Sequence, residues 1–225
     1  MFRLLIFSLI IFLFSCSERN ISSNEPSSIA DLSKALLEQP NDTALLIERR
    51  NRFIESGELE KAIIDQQQLF AIDTSNLNYR YDLADLYFEL YPSNHIYISK
   101  SLALISDNYT IFPPMLLLRA KLYYVLQNYS QSLKDINTYL PSYPFDAEAY
   151  FFKGLNYKDM GELEMAQSQF QTAVEQDPNY VESYEQLAFI YSFKGDSLAE
   201  YYFKNALLAD SNLLSSWYNL GMYYQ

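Results

Sequence analysis

The sequence predicts an all-α protein made of repeated helix pairs, and three observations carry that expectation. Glycine (5) and proline (8) are scarce in 225 residues while aromatics reach 16%, a balance that favours helices over a turn-rich β protein. Apolar and small residues recur at helical spacing. In 147–180, Tyr150, Gly154 and Tyr157 fall at i, i+4 and i+7, Gly161 interrupts, and Ala166, Phe170 and Ala173 form a second stripe before Pro178. The same pattern then returns at intervals of about 34 residues, the mark of a repeat architecture. With 49% apolar residues the chain can bury a sizeable core.

The elements follow in chain order. Residues 1–15 hold one basic residue, Arg3, and an apolar run from Leu4 to Phe14, too short to span a bilayer as a helix and suited to a secretory signal. Cys16, the only cysteine, follows directly and excludes an intramolecular disulfide. The stretch Leu13-Phe14-Ser15-Cys16 resembles the lipobox of bacterial lipoproteins, which implies cleavage before Cys16 and acylation of its thiol; an ordinary signal peptide or an uncleaved anchor are the alternatives. Residues 16–28 then read as a lipidated cysteine and a polar tether without helical periodicity. Several acyl chains would give stable membrane attachment.

Residues 29–225 read as a solenoid. Ile29 to Gln39, ended by Pro40, is a lone second helix that caps the stack. Units follow near 43–76 (Phe53, Gly57, Ala62), 77–112 (Leu83, Ala84, Tyr87), 113–146 (Ala120, Tyr123, Tyr129, Ser132, Pro144), 147–180 and 181–213 (Tyr184, Leu187, Ala188, Tyr191, Gly195, Ala199, Phe203, Ala206). A partial unit, 214–225, carries Trp217, Leu220, Gly221 and Tyr224. In 77–112, extra residues around Pro92-Ser93-Asn94 lengthen the inter-helix turn. Pro113 suits a helix start.

These residues resemble the tetratricopeptide repeat (TPR), whose signature is W-x2-L-G-x2-Y…A-x3-F…P. The resemblance implies a right-handed α-solenoid in which small residues let paired helices approach closely and the first helix of each unit lines a concave surface. No unit can bury its apolar face alone, so stability comes from stacking.

The chemical inventory narrows function. Formal charge is −12, which argues against nucleic-acid binding, and the basic cluster Arg49, Arg50 and Arg52 reads as a solvated helix face rather than an anion site. The single histidine, His95, lies in the lengthened turn without an adjacent nucleophile. There is no phosphate-cradling glycine loop, no zinc ligand set and no implied cofactor, so a catalytic site and a metal site are not expected.

The helical wheel places Tyr81, Asp85 and Phe88; Leu117, Lys121 and Tyr124; Phe151, Leu155 and Lys158; Glu185, Phe189 and Ser192; and Tyr218 and Met222 on the concave stripe. The expected partner-binding residues are Tyr81, Phe88, Leu117, Tyr124, Phe151, Phe189 and Tyr218, as anchors for a peptide or helix of a protein partner. Packing between neighbouring first helices is the alternative for Phe151, Phe189 and Tyr218. The stripe lacks the Lys, Asn and Arg clamp of chaperone-binding TPR domains, so that activity does not carry over. The expected function is a non-catalytic scaffold held by lipid in a bacterial cell envelope, at the outer membrane, resembling outer-membrane TPR lipoproteins. A glycan-binding nutrient-uptake lipoprotein is the alternative, although the repeat intervals leave no room for the large insertions of that class. The final stretch from Leu213 to Gln225 is apolar nearly all round. It is expected either to continue into further repeats of a longer protein or to self-associate, the remaining possibility being a half-exposed cap.

Overall fold

In the computed structural model of the protein, which describes residues 28–106 and 112–224, several helices begin at a side chain that accepts from first-turn amides. The signal segment, Cys16 and the tether up to residue 27 lie outside the described residues. Ser28 caps α1 (Ile29–Glu38), and Asp42 accepts from the amides of Ala44 and Leu45 to open α2 (Thr43–Glu55). After α3 (Leu59–Ile72), Asn76 caps α4 (Leu77–Leu90) through the amides of Asn78 and Tyr79. A 3-10 turn, Tyr91–Ser93, uses the extra residues of this unit before α5 (Ile96–Ile105), leaving His95 exposed beside the Tyr91 ring. Proline opens α6 (Pro114–Val125), where a missing amide hydrogen costs nothing. Then come α7 (Tyr129–Tyr139), α8 (Ala147–Asp159) capped by Asp146, α9 (Leu163–Gln176), α10 (Val181–Phe193), α11 (Leu198–Ala209) and α12 (Leu214–Tyr223).

The hairpins turn in one way. Gly57, Gly161 and Gly195 have φ of +76°, +83° and +66°, and the residue after each donates its amide back to the helix just ended, as Glu58 does to the Phe53 carbonyl at 2.8 Å. This closes the orphan carbonyls of the first helix in a left-handed C-cap. In the third pair Gln127 occupies the same place at φ +58°, with Asn128 donating to Tyr123.

The pairs α2/α3, α4/α5, α6/α7, α8/α9 and α10/α11 stack in sequence, with α1 against α2 and α12 against α11. The described residues therefore form an all-α solenoid of stacked helix pairs. First helices also touch their neighbours, α4 with α6 and α6 with α8, and among the described residues no two second helices pack comparably. The stack thus curves with first helices on the inside.

Close approach is set by small residues. A Cβ added at Gly154 would stand 2.5 Å from the ring of Phe170, which is fully buried on α9 with Ala166 and Ala173. Hydroxyls assist elsewhere: buried Ser132 donates to the Ala120 carbonyl at 2.8 Å, and Ser101 to that of Ala84 at 2.7 Å.

Two buried ion pairs cross from first to second helix within a unit. Arg49 Nε donates to Asp65 at 2.9 Å, and Arg119 holds Asp135 through Nε at 2.6 Å and Nη2 at 2.7 Å. Arg50 donates to Gln66 and, at 2.9 Å, to Asp82 on α4. The expectation of a solvated face for the arginine cluster is therefore corrected: Arg49 and Arg50 point between helices, and only Arg52, beside Glu48, is exposed. Removing one member of such a pair strands a buried charge at a cost of about 3–5 kcal/mol.

At the last helix, Leu214, Trp217, Tyr218, Met222 and Tyr224 are exposed, and Gly221 has nothing within 4 Å of a built Cβ. The two glycines give opposite expectations. Gly154→Ala should destabilise by about 1–3 kcal/mol because the Phe170 ring cannot move aside. Gly221→Ala should stabilise by up to about 1 kcal/mol through helix propensity alone. Urea unfolding of both variants checks the pair, and a stabilising Gly154→Ala would mean the α8/α9 contact is loose.

Candidate functional site: the first-helix groove

The inner face is built by successive first helices, whose polar side chains bridge from one to the next. Arg50 joins α2 to α4 through Asp82 at 2.9 Å. Lys121 joins α6 to α8 through Glu148 at 2.8 Å, and the Tyr124 hydroxyl donates to Asp159 at 2.9 Å. Lys158 donates to Gln186 on α10 at 2.8 Å, and Glu185 accepts from Ser215 and Ser216 of α12 at 2.7 and 3.0 Å. These bridges fix the spacing of the first helices and hence the width of the face.

Rings occupy the space between the bridges. Lys121 Nζ lies 5.0 Å from the centre of the Phe88 ring and 5.6 Å from that of Phe152, so one ammonium sits against two aromatic faces. Tyr124 meets Phe152 edge-on at 5.8 Å, and Phe151 packs on Tyr180 at 5.2 Å and on Phe170 at 5.8 Å. Tyr81 packs on Phe112 at 5.6 Å.

The seven expected anchors separate into three groups. Tyr81, Phe88, Tyr124 and Phe151 are half-buried ring residues of the inner face. Phe189 and Tyr218 are 45% and 68% exposed, with Phe189 edge-on to Phe203. Leu117 is only 7% exposed and packs with Ala120, Ile136 and Ala149 in the core, because α8 covers it. Little of it remains for a partner. Leu155, on the same expected stripe, is likewise core. Conversely Phe152, Tyr180 and Phe112 take part in the face without having been singled out from the sequence. Phe152 lies one position off the Phe151 stripe, and the other two stand outside helices, where a helical wheel has no information.

The charge balance is uneven. Asp85 faces Lys121, but burial outweighs that attraction, and with Glu89, Glu148 and Asp82 nearby its pKa is pushed up to about 6. Burial also raises Asp82 despite its pairing with Arg50. The phenols of Tyr81 and Tyr180 are pushed well up by burial and by carboxylates, Glu148 and Asp146 being common to both. Among the described residues, no group of three potential metal ligands is assembled. The arrangement can grip apolar and aromatic groups, and it can present hydrogen-bond acceptors to a donor.

Asp85 gives a pH dependence of stability. In the unfolded chain its carboxyl titrates near 4, whereas in the fold it holds its proton to about pH 6. Between those values the folded state binds more protons, so the contribution of this site to stability falls as pH rises and levels above pH 6. The stability of Asp85→Asn relative to wild type should therefore increase between pH 4 and pH 7 in urea titrations. A pH-independent difference would place Asp85 in water.

Comparison with known proteins places this architecture. Residues 147–180 and 170–200 match the tetratricopeptide repeat family. No curated protein matches the sequence. Among solved structures, MamA from Desulfovibrio magneticus RS-1 aligns with a TM-score of 0.56 at 20% identity, covering 76% of this chain and 96% of that one. A thermophilic TPR protein of Thermus thermophilus, TTC0263, aligns at 0.59 with 21% identity over 72% of this chain and 88% of that one. YrrB, described as a TPR protein with an unusual peptide-binding site, aligns at 0.52 with 20% identity over 85% and 98%. The repeats within 147–200 and the fold of the described chain are those of tetratricopeptide-repeat proteins.

Proposed function

We propose that this chain is a non-catalytic scaffold that holds a segment of a protein partner, extended or helical, against its first-helix face. We also propose that lipid on Cys16 tethers the repeats to the outer membrane of a bacterial envelope. The observation that carries the first part is the row of half-buried rings, Tyr81, Phe88, Tyr124, Phe152 and Phe151, running across α4, α6 and α8 on one inner face. Such rings supply large contact area at small entropic cost, and polar bridges keep them in place before a partner arrives. The likeness to YrrB, whose description names a peptide-binding site, agrees with a peptide occupant. Support for the second part is the sequence alone: an apolar run ending in Ser15-Cys16, followed by a polar tether.

Two experiments test these parts separately. Metabolic labelling with a palmitate analogue should tag wild type and leave Cys16→Ser unlabelled; equal labelling of both removes the anchor. For the groove, envelope proteins recovered by the wild-type chain should be lost from a Tyr124→Ala, Phe151→Ala double variant that still melts cooperatively. Retention of the same proteins would move the working surface elsewhere.

A further inference from the structure

The occupant of the groove is constrained by what its walls leave uncompensated. In the section between α4 and α8 four carboxylates converge: Asp82 and Asp85 from α4, Asp146 ahead of α8, and Glu148 within it, all four acting on the Tyr81 phenol. Arg50 takes Asp82, and Lys121 takes Glu148. Asp146 accepts the Tyr139 hydroxyl at 2.5 Å and the Ala149 amide at 3.0 Å, both neutral donors. Among the described residues Asp85 has no ion pair of its own and shares the Lys121 ammonium with Glu148. Lys121 is itself spent, held between the Phe88 and Phe152 rings with its side chain 12% exposed. Within the described residues, two cations thus serve four carboxylates on a face of aromatic and aliphatic side chains, where Asp85 lines a small hollow with Arg50, Ile54, Asp82 and Leu86.

We propose that this aromatic groove takes a basic segment of a protein partner, a stretch carrying Lys or Arg among apolar residues, whose cation stands against Asp85 and Glu148 beside the rings of Tyr81 and Phe88. The inference rests on reading the first-helix face as the partner-binding surface and adds the charge of what it binds. Apolar residues of the segment meet the rings, and its cation relieves the excess of carboxylate; an acidic segment meets repulsion instead. The desolvation that burdens Asp85 points the same way, since an added cation stabilises its ionised form.

The test uses the full chain in detergent and three synthetic peptides of about twelve residues that share a Leu/Phe framework and differ in carrying Lys and Arg, Gln, or Glu between the apolar positions. Fluorescence anisotropy should show the basic peptide binding about tenfold tighter than the neutral one, with the acidic peptide weakest and the preference shrinking at high salt. Asp85→Asn, alone and with Glu148→Gln, should reduce that preference. Glu60→Gln with Glu175→Gln, on exposed positions of second helices, should leave it unchanged. Equal binding of basic and neutral peptides overturns the charge inference while keeping the groove. Loss of preference in the Glu60/Glu175 variant and not in Asp85→Asn also overturns it, by assigning the effect to net charge. Failure of all three peptides to bind overturns both readings, and tighter binding of the acidic peptide reverses the sign.

Discussion

The close approach of two helices at a residue too small to hold them apart is the contact on which the rest of this molecule depends. At Gly154 the ring of Phe170 lies where a side chain would begin, so α8 and α9 share one surface instead of two. A pair joined this tightly still leaves one broad apolar face open, and only the next pair can cover it. Repetition is therefore a physical requirement and not an ornament of the sequence. It also explains why the first helices end up side by side along a curved inner face.

Within this scheme the unit core is not uniformly apolar. The seventh residue of successive units is Arg49, Leu83, Arg119, Lys153, Leu187 and Leu220. Leucine at this place is buried by the neighbouring helices, while Arg49 and Arg119 reach the same region only because Asp65 and Asp135 wait on the second helix. For Lys153 the corresponding second-helix residue is Gln169, and burial lowers the basicity of the lysine. A buried pair of this kind adds little net stability over leucine yet punishes mismatch strongly, so it ties particular helices together.

Helix identity, pairing and the repeated turn could be read from the sequence because they depend on local chemistry: spacing of Tyr150, Gly154 and Tyr157, glycine at Gly57, Gly161 and Gly195, and small residues such as Ala166 on the helix that carries Phe170. What could not be read depends on the rotation of each helix against its neighbour. A wheel cannot tell that Leu117 is covered by Ala149 of the next first helix while Tyr124, two turns on, stays half accessible and bonds Asp159. Nor does charge clustering in sequence reveal that Arg49 and Arg50 turn inward, because their partners lie 16 and 32 residues away. Tyr180 and Phe112 join the face from turns, where periodicity carries no signal.

The face that results is spanned by polar bridges and apolar in its gaps, a combination suited to holding a chain segment in a fixed register. Its use as the working surface is best tested by placing a photo-crosslinking amino acid at Tyr124 on the inner face and, in a second protein, at Ile64, exposed on the second helix α3. Crosslinked partner from position 124 and none from position 64 is the predicted result. Crosslinking from position 64 alone would contradict it and put the binding surface on the opposite side of the solenoid.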